Sequence, residues 1–415
     1  MHLSLLLREF FQDIRTQKLR AFLTIMAVTW GTLAVILLMA FGEGLGHRVS
    51  VGMRGGGNRC IRIYGGQTRK IFEGLPVGRT IHLHMDDYYL IKQSIQWVDR
   101  ISPQLGRRVN LRLGDKISST YMEGVYPDFE YLRAIHPGPG SRFINDKDII
   151  ERRRAVFFGE TMAEEMFGKG TNPLGKTIEL DGIPFTVIGI MPKKMQMGMS
   201  NGPDDRRAII PFSTFQSIYS HRWLGHIIVS PVSLPFAEQM MEDIRELMGN
   251  KYRFDPTDED ALNTWDHIEN EKTMEKMFLG INIFLGVLGA MSLIVAGVGI
   301  ANIMYVVARE RTQEIGIKRA IGAKKIHIIF QFIFESLLMS GIGGVIGILI
   351  SVSVVRLMWS MPADEGVMSF LGRPELSGLI VFISISILTL IGILAGFLPA
   401  RKAANVDPIE ALRYE

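Results

Sequence analysis

The sequence predicts a membrane α-helical protein with four transmembrane helices and an α+β extracytoplasmic domain of two subdomains. Three observations support this fold class: an apolar composition, four long apolar stretches, and a charged segment between the first and second stretch. Of the 415 residues, 47% are hydrophobic and 43 are glycine, yet 21% are charged and the net charge is +4. That mixture is typical of membrane spans joined to a water-exposed domain.

The spans are predicted at residues 21–42, 277–308, 326–359 and 376–400, since each holds the roughly 20 apolar residues that a spanning helix needs. The second and third are longer than a bilayer requires. Their extra turns are expected to project as stalks or to lie at the interface. A signal peptide is the alternative for the first stretch, but its apolar run exceeds the usual signal core of about 7–15 residues.

Lys and Arg are concentrated in three short segments, which are residues 1–20, 309–325 and 401–415. The short loop 360–375 contains only Arg373. Because short cytoplasmic segments carry the excess of Lys and Arg, both termini and the loop 309–325 are expected in the cytoplasm. The long segment 43–276 and the loop 360–375 are then expected outside.

The first 20 residues predict an amphipathic helix on the cytoplasmic face of the membrane. Apolar side chains recur there at helical spacing, at Leu3, Leu6, Leu7, Phe10, Phe11 and Ile14. A helix with one apolar face binds in the plane of the membrane surface. Packing against other protein is an equally good alternative.

The segment 43–276 is far too long for a loop and predicts the extracytoplasmic domain. We expect a membrane-proximal α+β subdomain from residues 43–103 and 212–276, and a β-rich insertion from residues 104–211. Alternation and Gly/Pro boundaries predict strands at 59–64, 109–113, 119–125, 177–180, 185–190, 208–211, 226–230 and 252–255, and helices at 86–96 and 236–248.

One motif within this domain resembles a nucleotide-binding loop. Residues 170–177 fit the P-loop pattern GxxxxGK[ST]. A working P-loop follows a strand and opens a helix, whose N-terminus binds phosphate. Here the preceding residues 164–167 are helical in pattern and the following residues 178–180 alternate like a strand. We therefore predict a turn that enters a strand, not a nucleotide site.

Other chemistry has little support in the sequence. His82 and His84 would share one face of a strand and could ligate a metal, but no further ligand cluster accompanies them. Cys60 is the only cysteine, so no intrachain disulfide is possible, and a lone thiol is usually a small buried hydrophobe. No GxSxG, HExxH or CxxC motif is present, and no dense Lys/Arg tract indicates nucleic acid. We predict no catalytic residue, no metal site and no cofactor site.

Small residues four apart let membrane helices approach closely. This pattern predicts helix packing at Gly286, Gly297, Gly343, Gly347, Gly392 and Gly396.

Glu335 is the only carboxylate inside a predicted span. An intramembrane acid is a functional-site hypothesis by default, and proton coupling is one interpretation. However, Glu335 lies about three helical turns from Lys325. We favour a structural pairing with a basic residue near the interface.

The C-terminal third of the chain carries the most specific strings of residues. They are AGVGIAN at 296–302, RERTQEIGIKRAIGA at 309–323 and GFLPARKAA at 396–404. These strings resemble the MacB/FtsX/LolC-type permeases, which are also called type VII ABC transporters. Residues 172–176 and 185–189 resemble the outer domain of the same family. The resemblance covers most of the chain.

The resemblance implies a multi-pass permease of the bacterial inner membrane, with a periplasmic domain. MacB itself has an ATPase fused ahead of its first span. Since only a short segment precedes the first span here, we expect the ATPase, with its ATP and Mg²⁺, on a separate chain and no enzymatic activity in this one. The implied partners are a cytoplasmic ABC ATPase, a second permease copy in a homodimer, membrane lipid, a periplasmic adaptor and an outer-membrane channel.

The implied mechanism is mechanotransmission, in which ATP hydrolysis moves the permeases and the movement reaches the outer domains. Efflux with an adaptor and an outer-membrane channel is the leading hypothesis. A lipoprotein-releasing permease is one alternative. A signalling permease that controls cell-wall hydrolases or senses peptides is another, and an independent membrane enzyme has the least support.

The loop 309–325 is the predicted ATPase-coupling segment. It predicts a short amphipathic helix, on which Glu310, Glu314 and Lys318 share one face and Ile317, Ala320 and Ile321 form an apolar one. Such a helix can dock in a groove on a partner; a solvated turn between spans is the alternative. The coupling residues are Arg309, Glu310, Arg311, Glu314, Ile315, Gly316, Ile317, Arg319 and Ile321.

The tail 401–415 has a helix-start signature of its own. Asp407, Pro408 and Glu410 occupy N-cap, N1 and N3 positions. A short helix near the ATPase is expected, and a helix on the membrane surface is the alternative.

Overall fold

A computed structural model of the chain describes residues 10, 15, 17–57, 59–196, 201–361 and 372–405. Most of the predicted N-terminal helix, the predicted tail helix from Asp407, and residues 362–371 of the predicted short loop lie outside the described residues. The chain divides into two compact units. A helical unit comprises Met1–Arg48 with Lys276–Glu415, and an α/β unit comprises Val49–Glu275.

The helices of the described residues are α1 Lys18–Gly56, α2 Met85–Ser94, α3 Phe129–Leu132, α4 Asp146–Ile150, α5 Glu160–Phe167, α6 Phe212–Tyr219, α7 Ala237–Tyr252, α8 His267–Glu310, α9 Thr312–Ala320, α10 Lys325–Trp359 and α11 Gly378–Ala404. The strands are β1 Ile61–Gly65, β2 Val98–Leu113, β3 Lys116–Val125, β4 Ala155–Gly159, β5 Thr177–Leu180, β6 Ile183–Met191, β7 Ala208–Pro211, β8 His226–Pro231 and β9 Leu262–Asp266.

Four helices, α1, α8, α10 and α11, are long and apolar enough to cross a membrane. The predicted number of spans is therefore confirmed. Two boundaries differ from the prediction. The predicted first span ends at Gly42, whereas α1 continues to Gly56, and α8 begins at His267, ten residues before the predicted second span. Hydropathy marks only the apolar part of a helix, and the polar turns that follow Gly42 and precede Met277 remain helical. At about 1.5 Å per residue, α8 is about 66 Å long.

Glycines bring the spanning helices of the helical unit into close contact. A β-carbon at Gly343 of α10 would lie 2.8 Å from Val28 Cβ, and one at Gly347 would lie 2.8 Å from Thr32 Cβ, both on α1. Thr29 Oγ1 donates to the Gly343 carbonyl oxygen at 3.1 Å. Glycine is needed here because any side chain would separate the two backbones.

The other predicted packing glycines follow the same principle, with one exception. Gly392 and Gly396 of α11 face Ser340 and Ser336 of α10, and Gly297 of α8 faces Ile391 of α11. Helix packing at Gly286 stays a prediction, since a β-carbon there would meet no described atom of this chain within 4 Å. The close contact on that turn is made by Gly289, which lies against Val35 of α1.

Six strands of the α/β unit close into a barrel. Each pairs with the next in the ring β2–β3–β7–β4–β6–β5 and β5 returns to β2. Apolar side chains such as Leu111, Phe158 and Phe185 fill the interior. The barrel strands from Leu105 to Pro211 fall within the predicted insertion 104–211.

The long strand β2 joins the barrel to a second sheet. Residues Val98–Gln104 of β2 pair with β8, whereas residues from Leu105 onward pair with β3. The second sheet has the order β2–β8–β1–β9 and ends at β9. Helix α7 covers one face, where Met240, Ile244 and Met248 pack on Ile61 and Val229.

One predicted strand is wrong and two observed strands were not predicted. Residues 252–255 are not a strand, because α7 extends to Tyr252 and Arg253 caps it in a left-handed conformation. The strand lies further on, as β9. Strand β4 (AVFFG) is buried at all five positions, so it lacks the alternation that reveals a strand.

Candidate functional site

The predicted coupling segment forms a helix clamped to two spanning helices. The helical backbone is interrupted at Arg311, between α8 and α9. Arg311 Nη1 contacts Glu335 Oε1 of α10 at 3.0 Å, and both side chains are largely buried. Glu335 therefore pairs with a basic residue, as the sequence analysis favoured. Since Glu310 belongs to α8, the prediction that it shares one helix face with Glu314 and Lys318 is wrong.

A polar cluster extends this clamp along α10. Gln331 Nε2 donates to Glu335 Oε1 at 3.2 Å, and Lys318 Nζ donates to Gln331 Oε1 at 3.5 Å. Glu335 and Gln331 are 3% and 7% exposed. A buried carboxylate is stable when it is paired and hydrogen-bonded, so the cluster holds α9 in one position against α10.

The end of α11 supplies the second part of the clamp. Arg319 Nη1 of α9 donates to the Ala404 carbonyl oxygen at 2.9 Å. This carbonyl lies in the last turn of α11, where the unpaired carbonyls of a helix attract cations. Lys325 Nζ, at the start of α10, donates to Asn405 Oδ1 at 2.8 Å. Helices α9, α10 and α11 are thereby fixed together.

The two faces of α9 differ sharply in exposure. Ile315 and Gly316 are buried, and Ile315 joins the core of the helical unit. In contrast, Ile317 is 45% and Ile321 is 82% exposed. Arg309, Glu314 and Ala320 are also exposed. The clamped segment thus exposes Ile317 on α9 and Ile321 at its C-cap, together with the charged side chains of Glu314 and Arg309.

A further contact joins the segment to α1. Arg20 Nη1 lies 3.4 Å from Glu310 Oε1, with both side chains about half exposed. Gln17 Nε2 also donates to Glu310. An exposed ion pair of this kind contributes little to stability.

Sequence reasoning missed Gln331 and the Ala404 carbonyl as parts of this site. Gln331 precedes Glu335 by four residues, the spacing of neighbours on one helix face, and that signal was available. The Ala404 carbonyl had no signal, because any residue supplies a carbonyl. Only the fold brings the end of α11 to Arg319.

The motifs of the α/β unit have structural roles. Residues 170–176 lie between helix α5 and strand β5, and Thr177 begins β5. This is the reverse of a P-loop, so the interpretation as a turn that enters a strand is confirmed. His82 stacks on Trp223 with ring centroids 4.0 Å apart. His84 is the N-cap residue of α2 and not part of a strand. No group of three His, Cys, Asp or Glu side chains suited to a metal occurs among the described residues.

Cys60 is fully buried, as expected for a small hydrophobe. Burial raises the pKa of its thiol to about 12. Because the thiolate is the reactive form, Cys60 is chemically inert at neutral pH.

A buried ion cluster beside strand β3, outside the apolar interior of the barrel, was not anticipated from the sequence. Asp204 Oδ1 lies 2.7 Å from Arg133 Nη2, and its Oδ2 lies 2.9 Å from Lys194 Nζ. Arg207 contacts both Asp204 and Glu123. Burial raises the pKa of the Glu123 carboxyl and lowers the pKa of the Lys194 ammonium. Glu123, Arg133 and Asp204 lie far apart in the chain, so no spacing pattern predicts the cluster, although Arg207 follows Asp204 by three residues.

Two family models match the chain. The MacB-like periplasmic core domain matches residues 21–247, and the FtsX-like permease C-terminal matches residues 286–408. The first match alone spans more than half of the chain. Four spanning helices with a MacB-like domain define a membrane permease. The chain belongs to the MacB/FtsX-type permease family.

Relatives of the chain include named exporters. It is 34% identical to the macrolide export ATP-binding/permease protein MacB of Chlorobium phaeobacteroides, over 98% of this chain and 60% of that one. It is 29% identical to the pyoverdine export ATP-binding/permease protein PvdT of Pseudomonas putida, over 96% and 58%. The chain thus spans about 60% of the length of these curated relatives.

Among solved structures, the periplasmic region of MacB from Actinobacillus actinomycetemcomitans is similar to part of this chain. The identity is 19% and the TM-score 0.42, covering 54% of this chain and 95% of that chain.

Proposed function

We propose that this chain is the permease of an ABC exporter in the bacterial inner membrane and that it transmits ATP-driven movement to its α/β unit. The observation that carries the proposal is the exposed pair formed by Ile317 on α9 and Ile321, the residue that caps α9. Apolar side chains on a short helix that is fixed from behind suit a groove on a partner. We propose that this groove belongs to an ABC ATPase.

The clamp behind α9 is what makes transmission of movement physically reasonable. A docking helix attached only through a flexible loop could move without displacing the spanning helices. Here Arg311 ties α9 to Glu335 of α10, and Arg319 ties it to the end of α11. A displacement of α9 would therefore displace the spanning helices as well.

This chain has no part in ATP hydrolysis in our proposal. The P-loop-like residues 170–177 of this chain enter a strand instead of a helix and therefore do not form a phosphate-binding loop. We assign the binding of ATP and Mg²⁺ to the ATPase. Two permease copies, a periplasmic adaptor, an outer-membrane channel and lipid complete the assembly. The names of the relatives, which concern macrolide and pyoverdine export, favour efflux over lipoprotein release or signalling.

Thiol labelling tests the proposed orientation. Gln239 on α7 and Gln313 on α9 are exposed, and cysteines there leave the Lys/Arg distribution unchanged. We expect a membrane-impermeant maleimide to label Gln239→Cys in intact spheroplasts and Gln313→Cys only after lysis. Buried Cys60 stays unlabelled in both and serves as the internal control. Labelling of Gln313→Cys before lysis would place α9 on the wrong side for an ATPase.

Photo-crosslinking tests docking at α9. A benzophenone amino acid at Ile321, which is 82% exposed, is expected to crosslink to the ATPase in the assembled complex. Ile117 on β3, which is 72% exposed, is the matched control and is expected to give no such product. An active complex in which position 321 never crosslinks to the ATPase would refute docking through this face.

A further inference from the structure

Helices α8 and α11 of the helical unit meet near the middle of α11 and again near the ends of both. A β-carbon at Gly297 of α8 would lie 2.3 Å from Ile391 Cγ2 of α11. Further along, Lys402 Nζ of α11 lies 5.8 Å from the centroid of the Tyr305 ring of α8. In both helices the second contact follows the first in the chain, so α8 and α11 run in the same direction. The surface between the two contacts is the α8–α11 seam.

Exposed apolar side chains line this seam on both helices. On α11, Leu394 and Leu398 follow Ile391 at helical spacing, which keeps them on one face. They are 54% and 57% exposed, and Val298 of α8 is 64% exposed. The seam measures about 16 Å between Ile391 and Lys402, at about 1.5 Å per residue. That length matches one leaflet of a hydrocarbon core about 30 Å thick.

The end of the seam carries positive charge without carboxylate partners. Five exposed side chains lie in the last turns of the two helices, and they are Asn302, Tyr305, Arg309, Arg401 and Lys402. Glu310 and Glu335 at this end already pair with arginines of α1 and of the α8–α9 junction. Within the described ranges of the chain, no carboxylate contacts the three cations of the seam. They are therefore available to an anion from outside the protein.

We infer that the α8–α11 seam binds a single anionic phospholipid. Lys402 and Arg309 hold its phosphate, because ammonium and guanidinium groups donate strong charge-assisted hydrogen bonds to phosphate. The Tyr305 ring lies at the level of the headgroup, where tyrosine is enriched in membrane proteins. One acyl chain lies along Leu394 and Leu398.

The chemistry of the seam favours a lipid over a soluble anion. The cations lie at the end of an exposed apolar surface, and a soluble phosphate would leave that surface uncovered. Basic pockets between spanning helices bind the headgroups of anionic lipids. The inference rests on the membrane location of the four spans, and it does not require docking of an ATPase at α9.

Native mass spectrometry of the full chain in detergent tests the inference. The first probe is dipalmitoyl phosphatidylglycerol. The second is dipalmitoyl phosphatidylethanolamine, which has the same acyl chains and no net charge, and the third is glycerol phosphate, which has no acyl chain. We expect the first phosphatidylglycerol to bind at least about tenfold more tightly than the first phosphatidylethanolamine, because net negative charge near several cations adds to affinity. Glycerol phosphate is expected not to bind.

A pair of charge variants locates the headgroup. Lys402→Gln with Arg309→Gln should weaken phosphatidylglycerol binding at least about tenfold. Lys18→Gln with Lys324→Gln is the matched control. It removes the same charge from exposed positions at the same end of the spans but outside the seam, and it should leave the affinity unchanged.

A pair of apolar variants locates the acyl chain. Leu398→Asn places an unpaired amide against the chain and should weaken binding about tenfold, because burial of an unpaired amide is unfavourable. Leu349→Asn makes the same change on α10 and should bind normally. The two leucines are 57% and 61% exposed, so neither substitution disturbs the core of the permease.

Three outcomes would overturn the inference. The first is equal affinity for phosphatidylglycerol and phosphatidylethanolamine, which is the behaviour of lipid that surrounds any spanning helix. The second is binding of glycerol phosphate with the affinity of the lipid, which would show a site for soluble phosphate. The third is equal binding by the seam variants and by their matched controls.

Discussion

The Ile317→Asp variant is expected to reach the membrane, fold, and fail to retain the proposed ABC ATPase partner. Ile317 is 45% exposed on α9, so the substitution disturbs no core packing in the permease alone. In the docked complex it buries an unpaired carboxylate, which costs several kcal/mol. Since about 1.4 kcal/mol is tenfold in affinity, we expect binding to weaken by more than about 100-fold and transport to be lost.

Two controls accompany this variant. Ile317→Val keeps an apolar side chain and should retain the ATPase. Ile117→Asp makes the same change at an exposed position of the barrel and should have little effect on either binding or stability, since isolated surface substitutions usually cost under about 0.5 kcal/mol. Normal ATPase retention by Ile317→Asp would contradict docking through this face.

The Asp204→Ala variant is expected to destabilise the barrel strongly. Asp204 contacts the cations Arg133, Lys194 and Arg207, and its side chain is 1% exposed. Removing it leaves the charges of Arg133 and Lys194 without the carboxylate that contacts them. Breaking a buried pair in this way typically costs about 3–5 kcal/mol. We expect much faster hydrogen exchange of the β4 amides, which lie in the barrel wall.

A surface ion pair is the matched control for this effect. Glu151 Oε2 lies 2.7 Å from Arg153 Nε, and both side chains are more than 40% exposed. Glu151→Ala should cost under about 1 kcal/mol, because exposed pairs contribute little. Equal exchange of the β4 amides in the two alanine variants would show that the buried cluster contributes no more than a surface pair.

The features that could be predicted from the sequence are those whose residues lie close together in the chain. The four spans and the fold class followed from apolar runs, because lipid imposes a length and a composition on each helix. The apolar face of α9 followed from residues within one short helix. Helix ends were less accurate, since the polar turns of α1 and α8 remain helical without being apolar.

Contacts between residues that are distant in the chain could not be predicted from the sequence. The contact of Arg319 with the Ala404 carbonyl joins helices that are distant in the chain, and the Asp204 cluster draws partners from separate strands and loops. Closure of the barrel depends on the pairing of β5 with β2, which no periodicity reveals. The pairing of Glu335 was an intermediate case: helical spacing placed it near a basic loop, but only the structure identifies Arg311 as its partner.

The central claim is that α9 transmits ATP-driven movement to the α/β unit. It is tested most directly by the distance between spin labels at Gln239→Cys in two permease copies, measured with the ATPase in lipid nanodiscs. We predict that ATP changes this distance in the wild-type background and in Ile317→Val, and leaves it unchanged in Ile317→Asp. An ATP-dependent change of the same size in Ile317→Asp would show that the movement reaches the α/β unit by another route.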